Sequence, residues 1–571
     1  MPNRDPQLSV MAVKTLDDLK LFTGPQKQRG FVDMLKYEAK QFCLNTALHG
    51  YRFIVLPKRM LLERIIWAIV VILCLISAVT LLCLAYVSFR QNPTFLITDS
   101  TQYPIWNYPF PAVTICNLNK FNKERVYALA QNLSQSTDKT VIHELALELR
   151  LLFQLINLKG FNVPPQNYTK LQELLNRKQM KPWEVLKYLA PTCEEIVQRC
   201  KWKSEEKRCE SLFELVPTSE GFCCVFNYFA LKNHTFGGYS THKVPISPRR
   251  TAACGYQTGL EVLLKNNPNE YFLTQIPSIG HRILIHDPYY FPDTSMQSVL
   301  TQSKIVNMID LQPSITYSTD NLKLLDVSQR DCYLPHERDL LNFNKYNHHN
   351  CIIECRMNLT LRLCGCVPFI YFNEEGTYPK VRLCDLTDVY CLTNFFNAIY
   401  SSNPGYNYDS FSFNRQEDVD VCKCLPDCDY VEYIAESSSG RLTREYATNP
   451  LNLYGGVNII NQSVIRVFFD DLVATRNRRD VTFTWHTLLA YYGGLLGLFI
   501  GFSFVSAVEI IYFFTIRLVS DMIEKPKRRM DTNQKLQKHK IQVQPVENLD
   551  SKKFKESKGI RHRTNSNPMY Y

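Results

Sequence analysis

The strongest constraint on the fold of this chain is an uncharged apolar run of 23 residues at positions 65–87. About 20 helical residues cross a hydrocarbon core of about 30 Å, so the run is long enough to span a membrane. More than sixty residues precede it, which is unlike a signal peptide. A second run, at positions 481–516, is also long enough and contains one acidic residue, Glu509, and one histidine, His486. The sequence therefore predicts two transmembrane helices.

Basic residues at the outer flanks of the two runs indicate the orientation. Lys58, Arg59 and Arg64 precede the first run. The basic residues that follow the second run are Arg517, Lys525, Lys527, Arg528 and Arg529. Because cytoplasmic flanks carry an excess of Lys and Arg, both termini are predicted to be cytoplasmic, with the protein in the plasma membrane. About 400 residues between the runs then lie outside the cell.

The Asn-x-Ser/Thr sequons agree with this topology. All of them lie between the two runs, where N-glycosylation of an extracellular segment is possible. They are Asn132, Asn167, Asn233, Asn358 and Asn461. We expect these five asparagines to be glycosylated.

The net charge of +11 is concentrated at the two ends of the chain. Residues 1–64 carry +5 and residues 517–571 carry +8, which leaves −2 for the rest. A soluble nucleic-acid-binding protein would carry its basic residues on a folded domain, so we expect no nucleic-acid partner. The tail at positions 526–571 is polar and lacks apolar periodicity, so it is predicted to be disordered.

Seventeen of the twenty cysteines lie between the two runs, and ten of them form a compact cluster. Outside the cell, disulfide bonds are favoured over a zinc site. Cys351 and Cys355 have the spacing of one helix face, and Cys422 and Cys424 that of one strand face. A ladder of bridges between a helix and a returning strand fits this spacing, which leaves the pairing itself open. Because seventeen is odd, one external thiol is free, lipidated or bonded to another chain.

The second run contains more than a lipid anchor requires. Its glycines recur every three or four residues and include Gly497 and Gly501, as on the packing face of a helix pair. Glu509 favours a pore instead, because an acid in a span is costly and usually faces water or a partner. In a continuous helix Gly501 and Glu509 lie on broadly the same side, with Ser503 nearby. Several copies would have to enclose the water, and a ring of acids beside carbonyl and hydroxyl oxygens favours cations.

Four motifs together identify a resemblance to a known family. His49-Gly50 precedes the first run, and Phe-Pro-Ala-Val-Thr-Ile-Cys-Asn at positions 110–117 follows it. The ten-cysteine cluster is the third motif, and Gly-Leu-Phe-Ile-Gly-Phe-Ser at positions 497–503 with Glu509 is the fourth. In these motifs the chain resembles the degenerin/epithelial sodium channel family, most closely its insect pickpocket-type subunits. The motifs cover both runs and most of the segment between them.

The resemblance implies a subunit of a sodium-selective, amiloride-sensitive, voltage-independent channel, gated by an extracellular stimulus. It implies a homo- or heterotrimer of related subunits embedded in membrane lipid, with permeant Na⁺ and no cofactor. The residues that it implies for the selectivity filter and pore are Gly497, Gly501, Phe502, Ser503 and Glu509. Ala490 matches the position where bulky side chains hold family members open, and His49-Gly50 matches a cytoplasmic gating motif.

The family's disulfide pattern is also carried over by the resemblance. The implied bridges are Cys332–Cys428, Cys351–Cys424, Cys355–Cys422, Cys364–Cys391, Cys366–Cys384, Cys116–Cys223 and Cys200–Cys209. Cys193, Cys224 and Cys254 exceed this set, and their pairing stays open.

The implied fold is a membrane protein with two transmembrane helices and a large disulfide-rich α+β ectodomain. The ectodomain would comprise a β-rich palm with a helical finger and thumb, in a trimeric channel. Apolar residues recur at helical spacing over residues 143–157, and alternation at strand spacing covers residues 457–469. The predicted divisions are the N-terminal segment 1–64, the first helix 65–87, the ectodomain 88–480, the pore helix 481–516 and the basic tail 517–571.

Other classes fit the sequence less well. No zinc-binding His-Glu-x-x-His, nucleophile elbow or phosphate loop is present, so we expect no enzyme and no metal site. A two-span ligand-gated cation channel of another family and a two-span adhesion or scavenger receptor are the remaining alternatives. The first would lack the nested cysteine cluster, and the second would need its spans only as anchors. The gating stimulus is not encoded in any motif.

Overall fold

The computed structural model describes residues 31–157, 164–232, 247–371, 381–401, 422–443 and 459–520, with positions 453, 455 and 457. The chain forms two compact units. The terminal unit comprises Met1–Val87 with Trp485–Tyr571, and the central unit comprises Ser88–Thr484. The predicted sequon at Asn233 and most of the predicted basic tail lie outside the described residues.

The secondary structure is mixed. The α-helices are α1 Phe31–Asn45, α2 Tyr51–Val55, α3 Leu61–Gln91, α4 Lys123–Ser134, α5 Lys139–Glu148, α6 Pro165–Arg177, α7 Pro182–Leu189, α8 Cys193–Ile196, α9 Asp320–Lys323, α10 Val327–Arg330, α11 His348–Cys364, α12 Val389–Asn394, α13 Phe396–Tyr400, α14 Trp485–Ile500 and α15 Phe504–Ile511. The strands are β1 Thr94–Pro104, β2 Ala112–Asn117, β3 Asn119–Asn122, β4 Val197–Trp202, β5 Glu205–Lys207, β6 Phe213–Thr218, β7 Gly221–Phe226, β8 Leu260–Lys265, β9 Tyr271–Thr274, β10 Gly280–His286, β11 Gln297–Gln302, β12 Ile305–Ser318, β13 Tyr430–Arg441, β14 Gln462–Phe469 and β15 Val473–Val481.

One helix of the described residues, α3, is by itself long and apolar enough to cross a membrane. Its 31 residues contain the predicted run and extend it by about one turn at each end. The second candidate consists of α14 and the following helical residues Phe504–Ser520, which are bent by 69° at a short break. The second apolar run is therefore not the single straight helix that the sequence suggested.

The central unit is built on an eight-stranded sheet in the order β1-β15-β12-β14-β8-β4-β5, with β13 on the remaining edge of β12. A five-stranded sheet, β11-β10-β2-β7-β6, accompanies it, and β3 pairs with β9. The middle of β12 alternates as expected for a strand with one face on a core, since Asn307, Ile309, Leu311 and Ile315 are buried at every second position. The ectodomain is thus β-rich.

The two ends of the central unit are joined to each other. β1, which follows α3 in the chain, pairs antiparallel with β15, which precedes α14. The pairing starts at Thr94 opposite Val481, and the Thr482 amide donates to the Pro93 carbonyl over 2.8 Å. Both chain connections to the apolar segments therefore leave from one antiparallel ladder.

Helices α4 to α7 carry a second core, which also receives side chains from α11. The predicted helix at 143–157 is correct only in its first half. α5 ends at Glu148, and a 3₁₀ helix at Leu149–Leu155 continues it, in which nearly every side chain is buried.

Eight disulfide bonds cross the central unit. They are Cys116–Cys223, Cys193–Cys224, Cys200–Cys209, Cys332–Cys428, Cys351–Cys424, Cys355–Cys422, Cys364–Cys391 and Cys366–Cys384. Seven are the pairs that the resemblance implies, and Cys193 with Cys224 adds an eighth. Cys254 forms no disulfide, which accounts for the odd external thiol. No cysteine of the ten-residue cluster is left to bind zinc.

The expected strand at Cys422 and Cys424 is wrong. Residues 422–426 adopt no regular secondary structure, and Lys423 between the two cysteines has a φ of 46°. The first strand after them, β13, begins at Tyr430. Both bridges to helix α11 form because a single left-handed residue turns the chain between the two sulfurs, not because a pleated strand presents them on one face.

Candidate pore site

The second apolar segment is interrupted at Gly501-Phe502-Ser503. α14 ends at Ile500, and Gly501 follows in the left-handed region with a φ of 71°. The Gly501 amide donates to the Gly497 carbonyl over 2.9 Å, which is the usual way to close a helix with a left-handed glycine. Glycine is required here because a side chain is strained at this φ.

A new helix starts directly after the break. Ser503 caps α15: its hydroxyl accepts the Ser506 amide over 3.3 Å, and the Ser506 hydroxyl accepts the Ser503 amide over 3.3 Å. This reciprocal capping box fixes the direction of the second helix. The expectation that Gly501 and Glu509 share one side of a continuous helix is therefore wrong, because the helix ends between them.

His49 lies against the break. Its amide donates to the Ile500 carbonyl over 2.9 Å. A Cβ on Gly501 would lie 2.7 Å from Cδ2 and 2.8 Å from Nε2 of the His49 imidazole, so the ring occupies the space that a side chain would need. Gly50 has a φ of 82°, and a Cβ there would lie 2.6 Å from Val71 of α3. The His-Gly motif and the Gly-Phe-Ser tract thus form one packed site.

Glu509 is also tied to the N-terminal segment. It is half-buried, and its Oε2 accepts the Thr46 hydroxyl over 3.3 Å. The same hydroxyl accepts the Leu48 amide over 3.3 Å, just before the His-Gly motif. The glutamate therefore contacts the residues that precede His49 in the chain, whereas α3 follows it. Phe502 packs into an adjoining apolar cluster around Phe42.

Ala490 is not part of this cluster. It is exposed on α14, eleven residues before Gly501, a distance of roughly 16 Å along a helix. Gly497 is half-buried in the last turn of the same helix. The residues predicted for the pore and for gating thus divide into a packed group at the break and one exposed alanine, a predicted gating residue, nearer the beginning of the helix.

The contacts of α1 were not predicted from the sequence. Phe42 packs against Phe513 and Phe514, with ring centroids 5.7 and 5.4 Å apart. Glu38, which is fully buried, faces Arg517 with 3.2 Å between Oε2 and Nε. The available signal was an amphipathic pattern at 31–45 with an acid on its apolar side, which is unusual unless the acid is paired.

The break places the carboxyl end of α14 next to the Ser503 hydroxyl in the chain. The carboxyl end of α14 carries the partial negative charge of its last carbonyl groups. The Ser503 side chain is exposed, and its hydroxyl is the next polar group along the chain. Carbonyl and hydroxyl oxygens arranged around an axis replace part of the hydration shell of a metal cation.

Comparison with known proteins decides the class. The family model described as amiloride-sensitive sodium channel matches residues 42–513, which contain α3, the central unit and the break. The chain belongs to this family. It is a family of ion channels rather than enzymes, and its members are oligomeric channel subunits in membranes.

Relatives in the amiloride-sensitive sodium channel family cover nearly the whole chain. Sodium channel protein Nach of Drosophila melanogaster is 25% identical over 88% of this chain and 91% of its own length. Pickpocket protein 28 of the same species is 25% identical over 85% and 79%. The human bile acid-sensitive ion channel is 25% identical over 88% and 90%. The recognition of this family from four motifs is confirmed.

The described sequons differ in their surroundings. Asn132, Asn167 and Asn461 are exposed, whereas Asn358 is half-buried within α11. Glycosylation of these residues stays a prediction.

Proposed function

We propose that the chain is a subunit of a sodium-selective, amiloride-sensitive, voltage-independent channel of the plasma membrane, opened by an extracellular stimulus. One observation carries the proposal: the His49 ring is packed on the left-handed Gly501 at a break in the second apolar segment. A helix that only anchors a protein in lipid has no use for a broken backbone, which is tolerated at membrane depth only where it lines a cavity or is buried in protein.

The proposed topology has two spans and cytoplasmic termini. α3 is the first span, and α14 with α15 is the second, bent one. The basic residues at the outer flanks of both support this orientation. The ladder of β1 with β15 would then join the outer ends of the two spans, so that movement of the ectodomain reaches both.

The proposed assembly is a trimer, with identical or related subunits. One broken helix cannot surround an ion, and three copies of the Gly-Phe-Ser tract would supply a ring of carbonyl and hydroxyl oxygens. Gly501, Phe502 and Ser503 would form the filter, with Gly497 and Glu509 as neighbouring pore residues. His49-Gly50 would support the filter from the cytoplasmic side and so influence gating.

The test is a voltage-clamp recording of cells that express this chain with Ala490→Phe. We expect a constitutive Na⁺ current that amiloride blocks, because a bulky side chain at this exposed position of α14 would keep neighbouring copies apart. The matched control is Leu489→Phe, at the exposed position that directly precedes Ala490 in α14. A cell that shows no current when each related subunit is co-expressed in turn would contradict the proposal.

The alternative is a two-span receptor whose helices are anchors. It predicts that residues 485–511 can be replaced by a poly-Leu helix without loss of function. The half-buried Glu509 argues against this alternative, because a carboxylate costs about 2.5–3.5 kcal/mol in a lipid-facing position.

A further inference from the structure

The central unit contains a cavity of about 390 Å³ where four elements meet. It lies between the end of β10, the first residues of α11, the segment that leads into β13, and β15. Its volume is in the range of small-molecule sites, which is about 300–1,000 Å³. The lining residues that matter most are Asp287, Tyr290, Asp427, Val431, Glu432 and Tyr433.

Acidic side chains outnumber cations among the described residues that line the cavity. Asp287, Asp427 and Glu432 contribute carboxylates, and Arg479 contributes a guanidinium. The Arg479 guanidinium keeps its charge, and its Nη1 donates to the backbone carbonyl of Asp427, itself a lining residue, over 3.1 Å. Lys345 lies outside the lining, over the ring of Tyr289, and its charge acts to lower the pKa values of Asp287 and Asp427. Within the lining itself, three carboxyl groups against one guanidinium favour a positively charged guest.

Two histidines of the lining, His286 and His349, do not supply that charge. Both ring nitrogens of His286 are engaged, with the Thr114 hydroxyl at 2.8 Å and the Asp287 carbonyl at 2.9 Å. Burial lowers the pKa of His286 to about 4 and also lowers the pKa of His349. These two imidazoles are neutral at physiological pH.

The carboxylates are held in a poorly hydrated environment. Burial raises the pKa of Asp427 to about 7 and raises the pKa of Asp287 above its usual value. A cation beside a carboxylate lowers its pKa. By linkage, the cation binds more tightly when the carboxylate is ionised, so binding of a cation at Asp427 should strengthen as pH rises through about 7.

Aromatic rings complete the wall. Tyr433 is fixed in place because its hydroxyl donates to the Pro109 carbonyl over 2.9 Å. Tyr290 packs against the ring of His349 with 5.1 Å between centroids. The face of a tyrosine attracts an organic cation, and the attraction is larger in a desolvated site. Val431 adds an apolar surface.

We infer that this cavity binds a small organic monocation, an ammonium or amidinium group on an apolar body. Asp287 and Asp427 would face the charge, while Tyr290 and Tyr433 would enclose the body and the exposed Glu432 would lie at the rim. An inorganic divalent ion fits less well, because among the described residues no three ligand atoms of these side chains converge within 4.8 Å. The inference concerns binding alone and does not depend on ion conduction.

The test measures the accessibility and charge of the cavity on the full chain at the cell surface. Val431→Cys places a thiol of similar size in the lining, and Ile434→Cys places one on the same strand at an exposed position outside the cavity. Each variant is treated with 2-aminoethyl or 2-sulfonatoethyl methanethiosulfonate. The cysteine thiolate displaces methanesulfinate and forms a mixed disulfide, which peptide mass spectrometry quantifies at that position.

We expect the cationic reagent to modify Val431→Cys at least about tenfold faster than the anionic one, because a cleft of one charge concentrates the opposite charge. Benzylammonium should slow this reaction and leave Ile434→Cys unchanged. Asp287→Asn with Asp427→Asn should bring the ratio of the two rates close to that of Ile434→Cys.

Equal rates for the two reagents, or a reaction that benzylammonium does not slow, would overturn the inference. If Val431→Cys does not reach the surface, Ser295→Cys provides a second lining thiol. Lack of reaction at both positions would mean that another part of the assembly fills the cavity, and this result would also reject a small-molecule site.

Discussion

The contact between His49 and Gly501 allows a sharp test of the pore model, beginning with Gly501→Ala. The left-handed φ of 71° costs an alanine about 1–2 kcal/mol. The new Cβ would also lie 2.7 Å from the His49 ring, so the ring has to move. If that movement breaks the 2.9 Å bond from the His49 amide to Ile500, another 0.5–1.5 kcal/mol or so is lost.

The control is Gly494→Ala in the same helix. No atom would lie within 4 Å of a Cβ at this position, so an alanine fits there and gains about 1 kcal/mol of helix propensity. We therefore expect Gly501→Ala to abolish or change the Na⁺ current per surface channel, while Gly494→Ala retains it. The readout is the current, with the Na⁺/K⁺ permeability ratio obtained from its reversal potential.

A double-mutant cycle separates the two costs. In His49→Ala the ring is absent, so adding Gly501→Ala should cost only the backbone strain. The double mutant should then lose less free energy of unfolding than the sum of the two single mutants, by about 1 kcal/mol or more. A coupling of this size is typical of residues in contact. Additive effects of the two substitutions on the permeability ratio and on thermal unfolding would refute the packed site.

Three further predictions concern the central unit. The raised pKa of Asp427 means that the folded state holds a proton that the unfolded state releases, so the free energy of unfolding should fall by at most roughly 4 kcal/mol as pH rises from about 4 to about 7. Asp427→Asn should reduce the dependence of the unfolding midpoint on pH over this range. Replacing Cys193 and Cys224 by serine should lower the free energy of unfolding by about 2–5 kcal/mol, measured as a lower unfolding midpoint under non-reducing conditions. An unchanged unfolding midpoint would mean that the disulfide bond does not form. A Gly/Ser spacer at positions 472–478 of β15 should leave surface expression intact and uncouple any stimulus from current; normal gating would count against a role of the β1–β15 ladder.

Much of the architecture could be predicted from the sequence. The first span follows from 23 uncharged residues, and the helix at Cys351 and Cys355 follows from their spacing. These features depend on local periodicity, which the sequence displays directly. The family resemblance supplied the disulfide pairs, because pairing depends on which distant segments meet in space.

The remaining features depend on backbone conformation or tertiary contacts. The break after Ile500 requires a left-handed glycine, and the four glycines of the run, at positions 493, 494, 497 and 501, give no sign of which one will adopt it. Lys423 is a similar case, since a lysine carries no sequence signal for the left-handed conformation that lets both neighbouring cysteines bond to α11. The pairing of Glu38 with Arg517 joins residues almost five hundred positions apart, beyond the reach of any local pattern.

The shared volume at positions 49 and 501 has a consequence for the history of such chains. An imidazole fills the space beside a residue without a side chain, so neither position can accept an arbitrary replacement while the other stays fixed. Lineages that enlarge the residue at 501 should carry a smaller one at 49. An alignment of homologues can therefore detect this pair as correlated substitutions between two segments separated by more than four hundred residues.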